Sequence, residues 1–444
     1  MIEILFSIIL GILGGIIIGL LPGLGTSTLL LITYPFLKNF NIVPLFLFYI
    51  SVLTSSQFYG SISAIIYGVT GELSSMPAVK NGHTLFRRGL GAESVIYTST
   101  GSFFSSLIGI CLFFVLVTTF SDYFIYLLKG KVILFFLFVA LLIIILTSGN
   151  IKASIAFAIL GFILGKIGYD DLLGGRILTF GIKDLDAGIP SFPLFCGFII
   201  IPLLYFYYKN NKDIEEPRNL NLTILKKIKV LLDFQYISSI IRGSFTGFIA
   251  GLIPGASYTV SSNLAEEIER KVNKKKTNDD SLMKNLVAAE SANNSATISV
   301  LIPFLMLSIP IIMSESIILG LAQIKGFNFT NSVSFLTSNL SVVMTSLILI
   351  NLVNWFISGL FFNSLIKIYY FLKKTTYVLV GIISLSTMIY LGYSNYQLIL
   401  TIAVFLVSLF LGISTYKFEK SKYVLIYTFF VSNLFFDEIY RYFL

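Results

Sequence analysis

Glycine recurs at every fourth residue at Gly11, Gly15 and Gly19, and this stripe runs straight into Leu20-Leu21-Pro22-Gly23-Leu24-Gly25-Thr26. The arrangement returns once, as Gly243, Gly247 and Gly251 followed by Leu252-Ile253-Pro254-Gly255-Ala256-Ser257-Tyr258-Thr259. Every matched position is displaced by 232 residues, as Pro254 stands to Pro22. A device repeated half a chain apart predicts an internally duplicated protein. Proline has no amide hydrogen and ends one half-helix, while glycine accepts the turn, so each copy predicts a helical hairpin with its tip at Pro-Gly.

The surroundings of the two copies set the solvent. Of 444 residues, 56% are hydrophobic and 12% charged, against about 25% charged in soluble domains. Apolar runs long enough to cross a hydrocarbon core of about 30 Å recur along the chain. The expected fold class is therefore an all-α polytopic membrane protein of the cell membrane. The first twenty residues carry neither a basic n-region nor a small-residue cleavage site, and read as a mature membrane segment. A net charge of +9 would suit nucleic acid only on a clustered basic face of a soluble module, which the sequence lacks, so no nucleic-acid partner is expected. Cys111 and Cys196 lie singly in apolar runs and read as core residues.

Plain crossings are predicted at 93–120, 132–148, 153–168 and 193–208, and again at 338–363, 377–393, 397–414 and 423–441. Most of the 31 lysines and arginines fall in one set of loops: at Lys80 to Arg88, Lys152, Lys209 to Lys229, Arg270 to Lys284, Lys367 to Lys374, and Lys417 to Lys422. Lys38, Lys166, Lys183 and Lys325 are among the few in the alternate loops. The positive-inside rule then makes the first set cytoplasmic and puts both termini outside. The hairpin around Pro254 has basic clusters at both ends and should enter and leave on the cytoplasmic side, while its twin around Pro22 should do so on the outer side. One interrupted passage follows each, at 43–79 and 281–322, and then four plain spans. Each half thus crosses an odd number of times, so the second repeat is inverted. The expected division is a first transmembrane repeat at 1–208, a cytoplasmic linker at 209–230 and an inverted repeat at 231–444. Inverted repeats with broken helices are the architecture of many secondary transporters, with substrate near the midplane.

Backbone freed at a hairpin tip is tolerated in a membrane only where it lines a protein-enclosed or wet cavity. The amides that open the following half-helix, with nearby hydroxyls, form an anion seat. Gly23, Gly25 and Thr26 are the candidates in the first half, and Gly255, Ser257 and Thr259 in the second. A further pair of polar stretches lies at Tyr59-Gly60-Ser61-Ile62-Ser63-Ala64 and Glu290-Ser291-Ala292-Asn293-Asn294-Ser295-Ala296. The same interval lays Ser63-Ala64 over Ser295-Ala296. Ser61, Ser63, Asn293 and Asn294 are candidate substrate contacts, and Asn293, Asn294, Thr70 and Glu290 are candidates for a coupling cation. Asparagine offers both donor and acceptor, so interhelical bonding accounts for Asn293 and Asn294 equally well. Close helix packing accounts for the glycine stripes. Helix breaks are expected at Val69-Thr70-Gly71 and Ile309-Pro310-Ile311, where Ser74, Ser75 and Ser314 could face the same cavity and Glu72 and Glu315 lie near. Arg242 reads as snorkelling to the interface or as a counter-charge for an anion. His83, in a basic loop, reads as solvated.

At these residues the chain resembles the large membrane subunit of the tripartite tricarboxylate transporters, the TctA family. The resemblance rests on Pro22-Gly23-Leu24-Gly25, Pro254-Gly255-Ala256-Ser257, Tyr59-Gly60-Ser61-Ile62-Ser63-Ala64, Glu290-Ser291-Ala292-Asn293-Asn294-Ser295, and Pro303 with Ser308-Ile309-Pro310-Ile311. The chain departs at Ser257, Ser308 and Ile311, where the family has glycine, and at Thr70, where proline is usual. It is also somewhat shorter than is usual for the family. The resemblance implies cation-coupled uptake of an organic carboxylate, with a small membrane subunit and an extracytoplasmic solute-binding protein as partners.

The expected function is secondary active transport of a small organic anion, a di- or tricarboxylate, coupled to sodium ions or protons. No cofactor is expected beyond a coupling ion such as sodium, and assembly as a homo-oligomer stays open. A passive anion channel and a non-transporting membrane scaffold are the alternatives. An intramembrane enzyme is disfavoured, because no HExxH or GxSxG motif occurs and no histidine lies in a span.

Overall fold

A computed structural model describes residues 2–21, 25–68, 73–127, 131–147, 150–170, 173–210, 234–252, 258–274, 276–308, 310, 312–327, 331–360, 364, 367, 381–382, 385–386, 388–389 and 397–443. The two Pro-Gly tips, the first break, most of the linker and most of the predicted span at 377–393 lie outside these residues.

Two central helices organise the described residues. Ile42–Tyr67 (α3) is buried from Pro44 to its end, and Asp279–Ser299 (α11) is buried continuously from Asn285. Neither alternates polar and apolar faces, because each is covered on all sides. Ile2–Leu20 (α1) lies along α3, and Phe234–Gly251 (α9) lies along α11. Each is followed by a shorter arm, Thr26–Leu37 (α2) after α1 and Tyr258–Val272 (α10) after α9. Among the described residues four helices are long and apolar enough to cross a membrane: Ile2–Leu20, Ile42–Tyr67, Phe86–Ser121 and Leu340–Gly359.

The plain spans read from the sequence coincide with helices wherever they are described. These are Gly91–Leu127 (α4), Lys131–Thr147 (α5), Ile151–Lys166 (α6), Ser191–Phe195 (α7) continuing through a π-turn into Ile201–Asn210 (α8), Leu340–Leu360 (α15), which follows the short helix Ser332–Ser338 (α14), Leu398–Ser414 (α16) and Glu419–Phe443 (α17). One feature escaped the all-α expectation. Between α6 and α7 the chain forms an antiparallel hairpin of Gly168–Asp170 (β1) with Gly175–Ile177 (β2). Its turn is set by Gly174 in the left-handed region and by the Asp170 carboxylate accepting the Leu173 amide.

The glycine stripes are seats for helix on helix. A Cβ on Gly11 would lie 2.5 Å from Ser51 Cβ and 2.7 Å from Phe48 O; one on Gly243 would lie 2.9 Å from Ser291 Cβ and would overlap Ala288 O. Gly15 meets Val52 and Ser55 as Gly247 meets Ala292, and Gly19 meets Ser56 and Tyr59 as Gly251 meets Ala296 and Ser299. The partners therefore differ by 240 residues, as Ala288 stands to Phe48, while the glycines differ by 232. This corrects the register: Ser63-Ala64 does not correspond to Ser295-Ala296, and Ser55 does correspond to Ser295. Eight additional residues separate the glycine-bearing helix from the central helix in the second half. The helix ends agree, because α3 ends at Gly68 and Leu301–Leu307 (α12), which continues α11, ends at Ser308, both capped in the left-handed conformation (φ 65 and 52).

The halves are interlocked. α3 is held by α15, whose Asn354 exchanges hydrogen bonds with Ser55 (3.2 and 3.0 Å) and accepts from the Tyr59 hydroxyl through its carbonyl (3.1 Å). α11 is held by α4, where Gly101 and Gly109 face Ser291 and Ser295. At one end of the molecule the Glu3 carboxylate accepts from Asn41 N and Nδ2 (2.9 and 2.6 Å), and Lys325 donates to Lys38 O (2.6 Å). α3 leads from there to Lys80, which pairs with Glu266 (2.6 Å), and to Arg88, which pairs with Asp279 (2.6 Å).

Candidate functional site

The face of α11 that carries Glu290, Asn293 and Asn294 is fully enclosed by protein. Spacings of three and four place the three side chains together on one side of the helix. Asn294 spends both amide hydrogens internally, on Ser102 Oγ of α4 (2.8 Å) and on Glu290 O one turn back (2.9 Å). Asn293 Nδ2 reaches Glu290 Oε2 at 3.5 Å, the outer limit of a hydrogen bond. The remaining atoms, Glu290 Oε1 and Asn293 Oδ1, are buried and have no hydrogen-bond partner among the described residues. Unpartnered buried polar atoms are costly and call for an explanation. Both are oxygens with lone pairs, so this face offers acceptors to a cation or to a hydroxyl donor.

The seats on the first half differ in kind. Gly25 caps the start of α2 in an extended conformation, and Thr26 Oγ1 in its first turn shares a hydrogen bond with Ser56 Oγ of α3 (2.8 Å). Ser61 donates to Phe58 O (2.8 Å) within its own helix. Ser63 lies near both Gly60 O (3.1 Å) and Gly19 O (3.2 Å), so it serves a last-turn carbonyl of α1. The hydrogens of Ser61 and Ser63 are committed to backbone, and each oxygen keeps acceptor capacity. Gly23, Thr70, Gly255 and Ser257 lie outside the described residues, as does the side chain of Thr259 in the first turn of α10.

Two charged residues depart from their sequence reading. Arg242 is neither free at the interface nor available to an anion, because its guanidinium forms a two-pronged ion pair with Glu269 of α10 (Nε–Oε2 and Nη2–Oε1 both 2.8 Å), to which Ser239 also donates (2.9 Å). Glu315 sits in the first turn of Met313–Ile324 (α13) and accepts the Ile312 amide (3.2 Å), so it closes the start of that half-helix. His83 is not simply solvated. Its Nδ1 lies 3.1 Å from Ile65 O near the end of α3, and its ring stacks on Phe86.

Sequence reading missed the supports. Ser102 positions Asn294, and a buried chain runs from Ser262 Oγ to Ser74 O (2.7 Å) and from Ser74 Oγ to Gln57 Oε1 (2.8 Å), joining α10 of the second half to the first break and α3. The signal was present as Ser99-Thr100-Gly101-Ser102 and Thr54-Ser55-Ser56-Gln57, polar runs within predicted spans.

Comparison with known proteins places the chain. No solved structure matches it. An Agrobacterium vitis protein described as an uncharacterized 52.8 kDa protein in the TAR-I ttuC' 3'region is 26% identical over 322 residues, covering 71% of this chain and 63% of that protein. The aligned region thus spans less than two thirds of that relative. The profile of the Tripartite tricarboxylate transporter TctA family matches residues 5–427. With the paired glycine-seated helices, the twin left-handed breaks and this match over nearly its whole length, the chain belongs to the tripartite tricarboxylate transporter TctA family.

Proposed function

We propose that the protein is a secondary active transporter of a small organic anion, a di- or tricarboxylate, moved together with sodium ions or protons. The observation that carries this reading is the doubled scaffold. Two helices break at equivalent left-handed caps 240 residues apart, and each is lined by a glycine-seated helix leading to a Pro-Gly tip. Breaks at membrane depth free backbone groups that need a polar occupant. In this reading the repeats are inverted, the ends at Lys38 and Lys325 face outward, and those at Lys80 and Arg88 face the cytoplasm, in keeping with their separation in the fold.

The amides and hydroxyls around Gly23, Gly25 and Thr26, and around Gly255, Ser257 and Thr259, seat the carboxylates. Glu290 Oε1 and Asn293 Oδ1, with Thr70 from the first break, hold the coupling cation, and Ser102 fixes Asn294 beside them. Coupling is an energetic requirement. Each negative charge carried inward against 100 mV costs about 2.3 kcal/mol, so a dianion needs more than two accompanying cations before the potential favours uptake. A small membrane subunit and an extracytoplasmic binding protein complete the assembly in this reading.

The test is uptake of a radiolabelled dicarboxylate into proteoliposomes under imposed sodium or proton gradients. Saturable uptake that follows one gradient supports symport. Flux that never saturates indicates a channel, and absence of both flux and binding, with the partner subunits supplied, indicates a scaffold.

A further inference from the structure

Each hairpin arm rests on the opposite half: α10 packs on Leu73–Ser75, which follows the first break, and α2 packs on α13, which follows the second. The two seams are built differently. Along the first, a polar ladder runs from solvent to a central helix. Lys80, whose side chain is 58% exposed, pairs with the buried Glu266 (2.6 Å), to which Asn81 Nδ2 also donates (3.1 Å). One turn back on α10, Ser262 donates to Ser74 O (2.7 Å), and Ser74 donates to Gln57 Oε1 of α3 (2.8 Å), all three side chains being buried. α10 accordingly turns Ser262, Glu266 and Glu269 inward and leaves Val260, Leu264 and Val272 exposed. At the 232-residue interval of the Pro-Gly motifs, α2 has Leu30, Tyr34 and Leu37, all buried, where α10 has Ser262, Glu266 and Glu269. At the 240-residue interval of the central helices, α13 has Gly320 and Leu321 where the first half has Lys80 and Asn81. The backbones differ as well: a 3₁₀ turn at Leu73–Ser75 and a π-helical turn at Ala78–His83 stand against the regular α13.

We propose that the seam between α10 and residues 73–83 is the gate at the Lys80 end of the molecule, an inference that rests on the transport reading above. The seam is closed in this structure. Parting it exchanges hydrogen bonds and an ion pair for bonds to water, a replacement of small net cost. Parting the α2 seam instead exposes aliphatic and aromatic surface, at a cost that grows with the area wetted. π-turns are rare and recur at functional sites, so the irregular backbone also falls on the side that opens. Lys80 and Glu266 act as the latch. With Lys80 in place the buried carboxylate is paired and the seam holds; without it Glu266 is relieved only when water enters, which favours the open seam.

The test compares Ser262→Cys with Leu30→Cys, which occupy matched buried positions, each in a background with Cys111 and Cys196 replaced by alanine. Alkylation by a maleimide reports how often each seam opens. Ser262→Cys is expected to react at least about tenfold faster than Leu30→Cys, and Lys80→Met to speed it about tenfold more while leaving Leu30→Cys unchanged. Equal rates at the two positions, or a rate at Ser262→Cys that Lys80→Met does not move, overturns the gate and leaves carboxylate transport standing. In a second arm, the double variant Lys80→Cys with Glu266→Cys is joined by a reducible bifunctional thiol reagent. Uptake of butanedioate into proteoliposomes should stop on linking and return on reduction; uptake undiminished by the link overturns the gate. Absence of butanedioate uptake before linking counts against the transport reading, and the alkylation rates still decide whether the seam opens. If Lys80→Met or the double variant does not fold, the contrast between Ser262→Cys and Leu30→Cys decides.

Discussion

Replacing Gly247 by alanine tests the duplicated packing most directly. The added Cβ would stand 2.5 Å from Ala292 Cα and overlap the carbonyl oxygen of the same residue. Both obstacles are backbone of the buried α11, so neither can rotate away, and α9 must retreat by roughly 1 Å to reach ordinary contact distance. A gap of that size forfeits a quarter to a half of the attraction at each contact along the seam, and overpacking of this kind typically costs about 1–3 kcal/mol. We expect about 2 kcal/mol, near thirtyfold in the folded population. Gly15→Ala should cost a similar amount, since Ser55 Cβ and Val52 O stand 2.5 and 2.8 Å from its added Cβ. Gly14→Ala is the control. Its Cβ meets only Leu29 Cδ2, at 2.8 Å, the far end of a flexible side chain, and should cost less than about 0.5 kcal/mol. Equilibrium unfolding in mixed micelles by denaturing detergent gives all three values. A Gly247→Ala protein as stable as wild type, or a Gly14→Ala protein as damaged as Gly247→Ala, would refute the glycine seats as the contacts that set helix separation.

Arg242→Met should destabilise by about 3–5 kcal/mol, because it strands the buried Glu269 carboxylate; the double variant with Glu269→Gln should recover most of that loss in the same unfolding assay. Asn294→Ala should abolish uptake in proteoliposomes while leaving the protein folded in the membrane, and intact uptake would reduce Asn294 to a packing residue. Ser102→Ala releases one amide hydrogen of Asn294 and should weaken dependence on the coupling ion about tenfold, the scale seen when a supporting hydrogen bond behind a ligand is removed. Single cysteines at Lys38 and Lys325 should react with an impermeant reagent added outside, and those at Lys80 and Lys276 only from inside. The opposite pattern would contradict the inverted arrangement.

The helices and their order were legible because lipid forces long apolar runs, and the glycine stripes were legible because close approach admits no larger residue. The register between the halves was not. Sequence comparison carried the interval of Pro22 and Pro254 onward to the central helices, but eight residues inserted between the glycine-bearing helix and the central helix leave the motif Pro-Gly untouched and displace everything after it. Only the seats of Gly11 on Phe48 and Gly243 on Ala288 reveal the change. The partners of Arg242 and Asn294 were equally hidden. Glu269 lies 27 residues on in the chain, and Ser102 lies in the other half. Hydrogen bonds between helices distant in sequence follow from tertiary packing, which local pattern does not encode.

The corrected register changes what the duplication means for chemistry. At the 240-residue interval the counterparts of Glu290, Asn293, Asn294 and Thr297 are Ile50, Leu53, Thr54 and Gln57. The backbone device is doubled, but at these matched positions the carboxylate and its amides stand on α11 and not on α3. Duplication alone would have supplied two equal polar faces, each with its own desolvation cost. On α3 two of these four positions are instead aliphatic, and Asn354, Ser55 and Tyr59 satisfy one another. The α3 side therefore gives rigidity, and the α11 side keeps unspent acceptors. Among the described residues of the two central helices the unspent acceptors thus lie on α11, where Ser102 from the opposite half holds Asn294.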